Sequence, residues 1–129
     1  VEENKIPSSK TQLNLQWVKA AKQALEEGRN FKTADATFQG IRLGDIRIAV
    51  LPGEVFAAIG LAIKQQVGGN VITMAYSNND EVGYIPIAEQ FPLGGYEVET
   101  APKRYGLFPW LPDIEKYYAS QAVALLQSL

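Results

Sequence analysis

The chain has no cysteine and no histidine among its 129 residues. Without cysteine there is no disulfide, no thiol nucleophile and no thiolate zinc site. Without histidine it lacks the commonest metal ligand and the usual general base near neutral pH, so any metal site it shared in would need imidazole from elsewhere. Neither sign of charge dominates: twelve Lys and Arg stand against fourteen Asp and Glu, a formal net charge of −2. That balance offers no basic field to nucleic acid or to an anionic membrane surface, so no nucleic-acid partner is expected. No apolar run reaches the ~18 residues of a bilayer-crossing helix, and no transmembrane segment is expected. Internal repeats and low-complexity tracts are missing as well.

What is present suits one ordinary core: 47% of residues are apolar, enough for a single compact domain at this length. Residues 1–10, polar and closed by Pro7-Ser8-Ser9, read as a linker or cut site, and residues 11–129 as one α/β domain. The class expected is a small mixed β-sheet with helices packed on it. From Thr11 a helical stripe runs through Leu13, Trp17, Ala20, Ala21 and Ala24, with Gly28 as its stop. Trp17 lies on that stripe and reads as packing rather than as a ligand platform. Ala34 to Ile41 alternates like a half-buried strand. Gly44-Asp45 marks a hairpin between Ile41–Leu43 and Ile46–Leu51, with Arg42, Asp45 and Arg47 at a solvated end.

The stretch Ile46 to Leu51 then breaks at Pro52-Gly53-Glu54 and resumes as a helix to about Val67, a strand-to-helix corner of the kind that presents functional groups. Glu54 is the corner's only charge, and its simplest role is to complement the helix dipole. Gly60, inside the helix, points to close approach of another backbone. Val71 to Tyr76 is a strand apolar enough to be covered on both faces. The region from Tyr84 to Gly106 reads as a long irregular loop in which Gly94-Gly95 precede Tyr96 and are able to aim its ring. A last helix spans Pro112 to Leu129.

Three motifs in this order carry a resemblance. Val50-Leu51-Pro52-Gly53-Glu54 with Gly60 beyond it, Asn79 ahead of Tyr84, and Gly95-Tyr96-Glu97 after it are similar to the C-terminal part of the neutral/alkaline ceramidase family, closest to its short bacterial relatives. The likeness covers the chain from about Phe38 to the end. It implies the C-terminal part of a larger hydrolase fold and a zinc-dependent amidohydrolase acting on a small amide or lipid-like substrate. By that resemblance Glu54 and Tyr84 would be zinc ligands, Tyr96 would hold the developing oxyanion, and Asn79 would orient the loop. The partner implied is an N-terminal part of the same protein, supplying two histidine ligands, so this chain alone would hold zinc weakly and turn nothing over. Zinc chemistry of that kind uses hard oxygen donors and a bound water whose pKa falls to about 7. Export from the cell is also implied only by the resemblance. The chain departs from the family where Ile85-Pro86-Ile87 follows Tyr84 in place of paired threonines, and where Val55-Phe56-Ala57-Ala58 replaces polar residues after the corner; both point away from ceramide itself. Two other functions compete with this one. One is a non-catalytic binding or assembly domain that keeps the scaffold without the chemistry. The other is a carbohydrate- or peptide-binding domain that uses Trp17, Trp110 and the tyrosines as platforms.

Overall fold

A computed structural model describes residues 8–29, 33–75 and 82–129. The chain runs through α1 (Ser9–Glu26), β1 (Gln39–Leu43), β2 (Ile46–Val50), β3 (Glu54–Val55), α2 (Ala57–Val67), β4 (Asn70–Met74), β5 (Tyr84–Ile85), a 3-10 turn (Ala88–Leu93), a π turn (Tyr96–Thr100), α3 (Ala101–Arg104) and α4 (Ile114–Gln127). The expectations placed on the lead-in up to residue 7, on Asn30, on Tyr76 and on Asn79 lie outside the described residues.

The sheet is mixed, as expected. β1 and β2 pair antiparallel across the Gly44-Asp45 turn, β2 and β4 pair parallel, and the order is β1-β2-β4. The link between the parallel strands is α2, which makes β2-α2-β4 a βαβ unit. Helix α2 ends at Gly68, whose φ of 68° suits the turn. A Cβ on Gly60 would lie 2.9 Å from Thr73 Oγ1, so the missing side chain lets α2 rest on β4. On α4, Tyr118, Ala119, Ala122 and Leu126 are buried and meet Ala49, Leu51, Ile59 and Ile63 in one core. Each fully buried Leu or Ile there contributes about 1.5–3 kcal/mol. Arg47 reaches from β2 to the C-terminal ends of both helices, donating to Leu126 O at 3.4 Å and to Gly68 O at 3.1 Å.

Among the described residues no helix packs on the other face of the sheet. The register sets Ile41 beside Ile48, Ile48 beside Ile72, Leu43 beside Ile46, and Val50 beside Met74. Residues paired across strands point to one face, so all seven side chains share the face away from α2 and α4. None belongs to the core cluster; Leu43, Ile72 and Met74 are 60%, 45% and 46% exposed, Ile41, Ile46 and Ile48 are half-buried, and Val50 is buried. The strand Val71 to Tyr76 therefore differs from its expected two-sided burial: Val71 and Thr73 turn inward and Ile72 and Met74 outward.

Other segments differ in extent. Helix α1 begins at Ser9, two residues before the apolar stripe, because the Ser8 hydroxyl accepts the Thr11 N–H. Ala34 to Phe38 alternates in burial, but among the described residues the paired strand begins only at Gln39. Its Ala34, Ala36 and Phe38 turn toward the core, and the Phe38 ring packs edge-on against Tyr118 at 4.9 Å. Helix α1 is attached at few points. Trp17 Nε1 donates to Leu107 O at 2.8 Å, its ring meets Phe108 at 4.7 Å, and Lys103 Nζ donates to Asn14 at 2.8 Å. A groove of about 450 Å³ runs beside these contacts, lined in part by Trp17, Ala20 and Phe108.

Candidate functional site

Strand β2 ends at Val50, and the Leu51 N–H donates to Met74 O at 2.7 Å, which closes the sheet before the chain turns at Pro52. Gly53 has a φ of 78°, a left-handed conformation costly for any residue with a Cβ. A Cβ there would collide with the Gly83 carbonyl oxygen and lie 2.7 Å from Val82 Cγ2. The bare α-carbon lets two short strands meet: the Glu54 N–H donates to Gly83 O at 2.9 Å and the Phe56 N–H to Ile85 O at 3.1 Å. Glu54 thus pairs with Tyr84, and Val55 with the fully buried Ile85. Glu54 belongs to a strand, not to the first turn of α2, so the helix-dipole role expected for it does not apply. Its peptide N–H is used by the β3–β5 ladder, which holds the backbone extended until Phe56.

The loop between β5 and α3 is ordered by turns rather than irregular. Gly94 and Gly95 take φ values of 69° and 109°, and the π turn follows, closed by the Ala101 N–H on Tyr96 O. This step carries Tyr96 back toward β5. The two phenol rings meet edge to face, with centroids 5.8 Å apart and planes at 79°. Glu54, Tyr84 and Tyr96 are therefore brought together at a surface rim. Two aromatics complete the surroundings. Trp110 Nε1 donates to Tyr84 O at 3.0 Å, and the Tyr105 ring lies over Gly83, where a Cβ would come within 2.7 Å of it. Both belong to a proline- and aromatic-rich stretch that reads simply as packing. Their signal was the density of rings within so few residues.

Side-chain hydrogen bonding toward Glu54, followed by desolvation and the nearby negative charge of Glu54, pushes the Tyr84 phenol up to about 12. Near neutral pH Tyr84 keeps its proton and acts as a donor held on a carboxylate. The zinc-dependent amidohydrolase expectation is corrected here. Among the described residues no group of three or more His, Cys, Asp or Glu side chains is placed to hold a metal ion, and none of the buried residues is charged. Glu54 is matched by a protonated phenol, not by further anionic or imidazole donors, so neither a zinc site nor the hydrolase built on it is supported. What the arrangement provides is a patch of one carboxylate and two phenols, set by the β3–β5 pairing and the contact of the two rings. No helix is long and apolar enough to cross a membrane among the described residues. Comparison of the chain with protein-family models finds no match, and neither the curated proteins nor the solved structures give a significant one.

Proposed function

We propose that this chain is a non-catalytic assembly domain, similar in scaffold to the C-terminal part of the neutral ceramidase family but without the metal chemistry. The observation that carries this is the sheet face on which Leu43, Ile72 and Met74 are exposed beside half-buried Ile41, Ile46 and Ile48. Sheets with one wet face alternate apolar and polar residues, and near-continuous apolar strands belong to sheets covered on both sides. Here β2 reads Ile46-Arg47-Ile48-Ala49-Val50, with its isoleucines and valine outward and Arg47 and Ala49 inward, and among the described residues only the inward side has helices on it. Contiguous apolar surface of a few hundred Å² on a folded chain marks an interaction site. The domain's role in this reading is to present that face, braced from behind by α2 and α4, to a layer that completes the sheet's cover. The Glu54–Tyr84–Tyr96 patch then serves to hold the corner and the following loop in place.

The test is a double substitution, Ile72→Lys with Met74→Lys. An exposed docking face accepts both changes, so the Tm and far-UV circular dichroism should stay within ~1 kcal/mol of wild type while binding of the apolar dye ANS disappears. If the variant unfolds, or if wild type binds no ANS, the face is part of the chain's own interior and the assembly reading fails.

A further inference from the structure

The groove beside α1 combines an apolar wall with charge of one sign. Its α1 side runs through Leu13, Trp17, Ala20, Ala21 and Ala24, and Phe108 is among the residues that complete it. Helix α1 lies ahead of the stretch that carries the family likeness, which begins near Phe38. From Leu13 to Ala24 the helix rises about 16 Å, so a void of about 450 Å³ spread along it is a narrow trough. That volume lies within the ~300–1,000 Å³ of small-molecule sites, which are mostly apolar with a few placed polar groups. The small side chains of Ala20 and Ala21 leave the trough open, since larger ones would occupy it.

Arg29, Lys103 and Arg104 also line the groove, and among the described residues no Asp or Glu does, although acids outnumber bases in the chain by fourteen to twelve. The three cations are not equivalent. Arg29 is already matched, with its Nε 2.6 Å from Glu27. Lys103 is half-buried, and its ammonium donates to a neutral amide oxygen, Asn14 Oδ1, at 2.8 Å. An ammonium has three N–H groups to satisfy, and among the described residues no carboxylate pairs with Lys103 or with Arg104. A half-buried cation without a counter-charge favours an anion from outside, and the guanidinium next to it in sequence suits a carboxylate. The bond to Asn14 fixes the direction. It sets Lys103 near the N-terminal end of the trough, while Ala20, Ala21 and Ala24 lie further along, past Trp17.

We propose that this groove holds an unbranched hydrocarbon chain ending in a carboxylate, with the carboxylate on Lys103 and Arg104 and the tail along Ala20, Ala21 and Ala24. A narrow trough takes an extended chain rather than fused rings. The site is separate from the sheet face, and neither depends on the other.

Titration calorimetry of the full chain with decanoate, below its micellar range, tests this. The expected Kd is on the order of 100 µM, as suits a ligand of about a dozen non-hydrogen atoms. Decyltrimethylammonium, with the same tail and the opposite head, and acetate, a head without a tail, should not bind. Arg104→Met, which leaves the Asn14 contact alone, should weaken decanoate about 10-fold, and Lys103→Met at least as much. Asn14→Ala removes the partner of Lys103 but keeps its charge, so it should bind as wild type does. Ala20→Leu keeps a good helix former but fills the trough, and should abolish binding with circular dichroism and Tm unchanged. A full chain that takes up no decanoate overturns the proposal, because the groove is then filled by the chain itself or closed to such a tail. Equal affinity for decanoate and decyltrimethylammonium overturns it too, since the cations then select nothing. An Asn14→Ala chain that loses as much as Lys103→Met overturns the place given to the head. Binding that survives Ala20→Leu overturns the place given to the tail; if that binding is lost in Ile72→Lys, the tail lies on the sheet face and the assembly reading stands.

Discussion

Replacing Gly53 with alanine should disturb stability and the Tyr84 phenol together. The new Cβ has two costs. A φ of 78° disfavours any L side chain by about 1–2 kcal/mol. The collision with the Gly83 carbonyl oxygen is with backbone, which cannot swing aside as a side chain would, so the β3–β5 pair must open. Its two interstrand hydrogen bonds are worth roughly 0.5–1.5 kcal/mol each. The expected loss is about 2–5 kcal/mol, or roughly 8–20 °C in Tm for a chain of this size. Urea unfolding at an unchanged m-value measures it. Gly28→Ala serves as the control, since Gly28 has a similar φ of 67° with nothing within 4 Å of a built Cβ, and should cost only the 1–2 kcal/mol of conformation. The second readout is an ultraviolet titration of tyrosine. If the pair opens, Glu54 leaves Tyr84 and the phenol falls from about 12 toward the ordinary value near ~10. A Gly53→Ala chain no less stable than the Gly28→Ala control, with the high-pH tyrosine still present, would refute the argument that the corner depends on the missing Cβ.

Glu54→Ala should lower the Tyr84 titration toward the ordinary tyrosine range without unfolding the chain, and an unmoved titration in the same spectroscopic assay would mean that Glu54 is not its partner. Tyr118 presents the opposite case: its hydroxyl is buried with no hydrogen-bond partner found for it, so Tyr118→Phe should stabilise by about 1 kcal/mol, seen as a Tm roughly 4 °C higher. Burial also holds the Tyr118 phenol above its usual range. As pH rises past about 10 the unfolded phenol ionises while the folded one does not, so wild type should lose stability there and Tyr118→Phe should lose less, which melts at pH 9 and 11 will show. Arg47→Met should cost about 1–2 kcal/mol in urea unfolding, because the guanidinium donates to carbonyls at the ends of both α2 and α4.

The hairpin was legible because Gly44-Asp45 interrupts two apolar runs, and the succession of helix and strand because Gly68-Gly69 ends a helical period before a β-branched run; the parallel pairing of β2 with β4 was not. Gly60 pointed to close approach of another backbone, but what it meets is the side chain of Thr73. The nearness of Glu54, Tyr84 and Tyr96 was an expectation that came only with the family resemblance. Their pairing was not legible: strands of two residues, as β3 and β5 are, have no periodicity to detect, and the ladder arises only because Gly53 admits the Gly83 carbonyl. The zinc expectation failed for a related reason. Three residues of a motif can converge without the rest of a ligand set, and at this rim the phenol's bond to Glu54 keeps the proton that a metal ligand would have to lose. The apolar sheet face was hidden in plain composition. An apolar strand says that both sides want cover, but not whether the same chain provides it.

The two indoles occupy different joints of the molecule, and each donates to a main-chain carbonyl far away in sequence: Trp17 to Leu107, and Trp110 to Tyr84. Intrinsic fluorescence of this chain is accordingly a pair of local gauges rather than a single global one. With Trp110→Phe the remaining emission follows the seating of α1, and with Trp17→Phe it follows the tyrosine rim. Detachment of the helix and loosening of the corner can thus be timed separately, without attaching any dye.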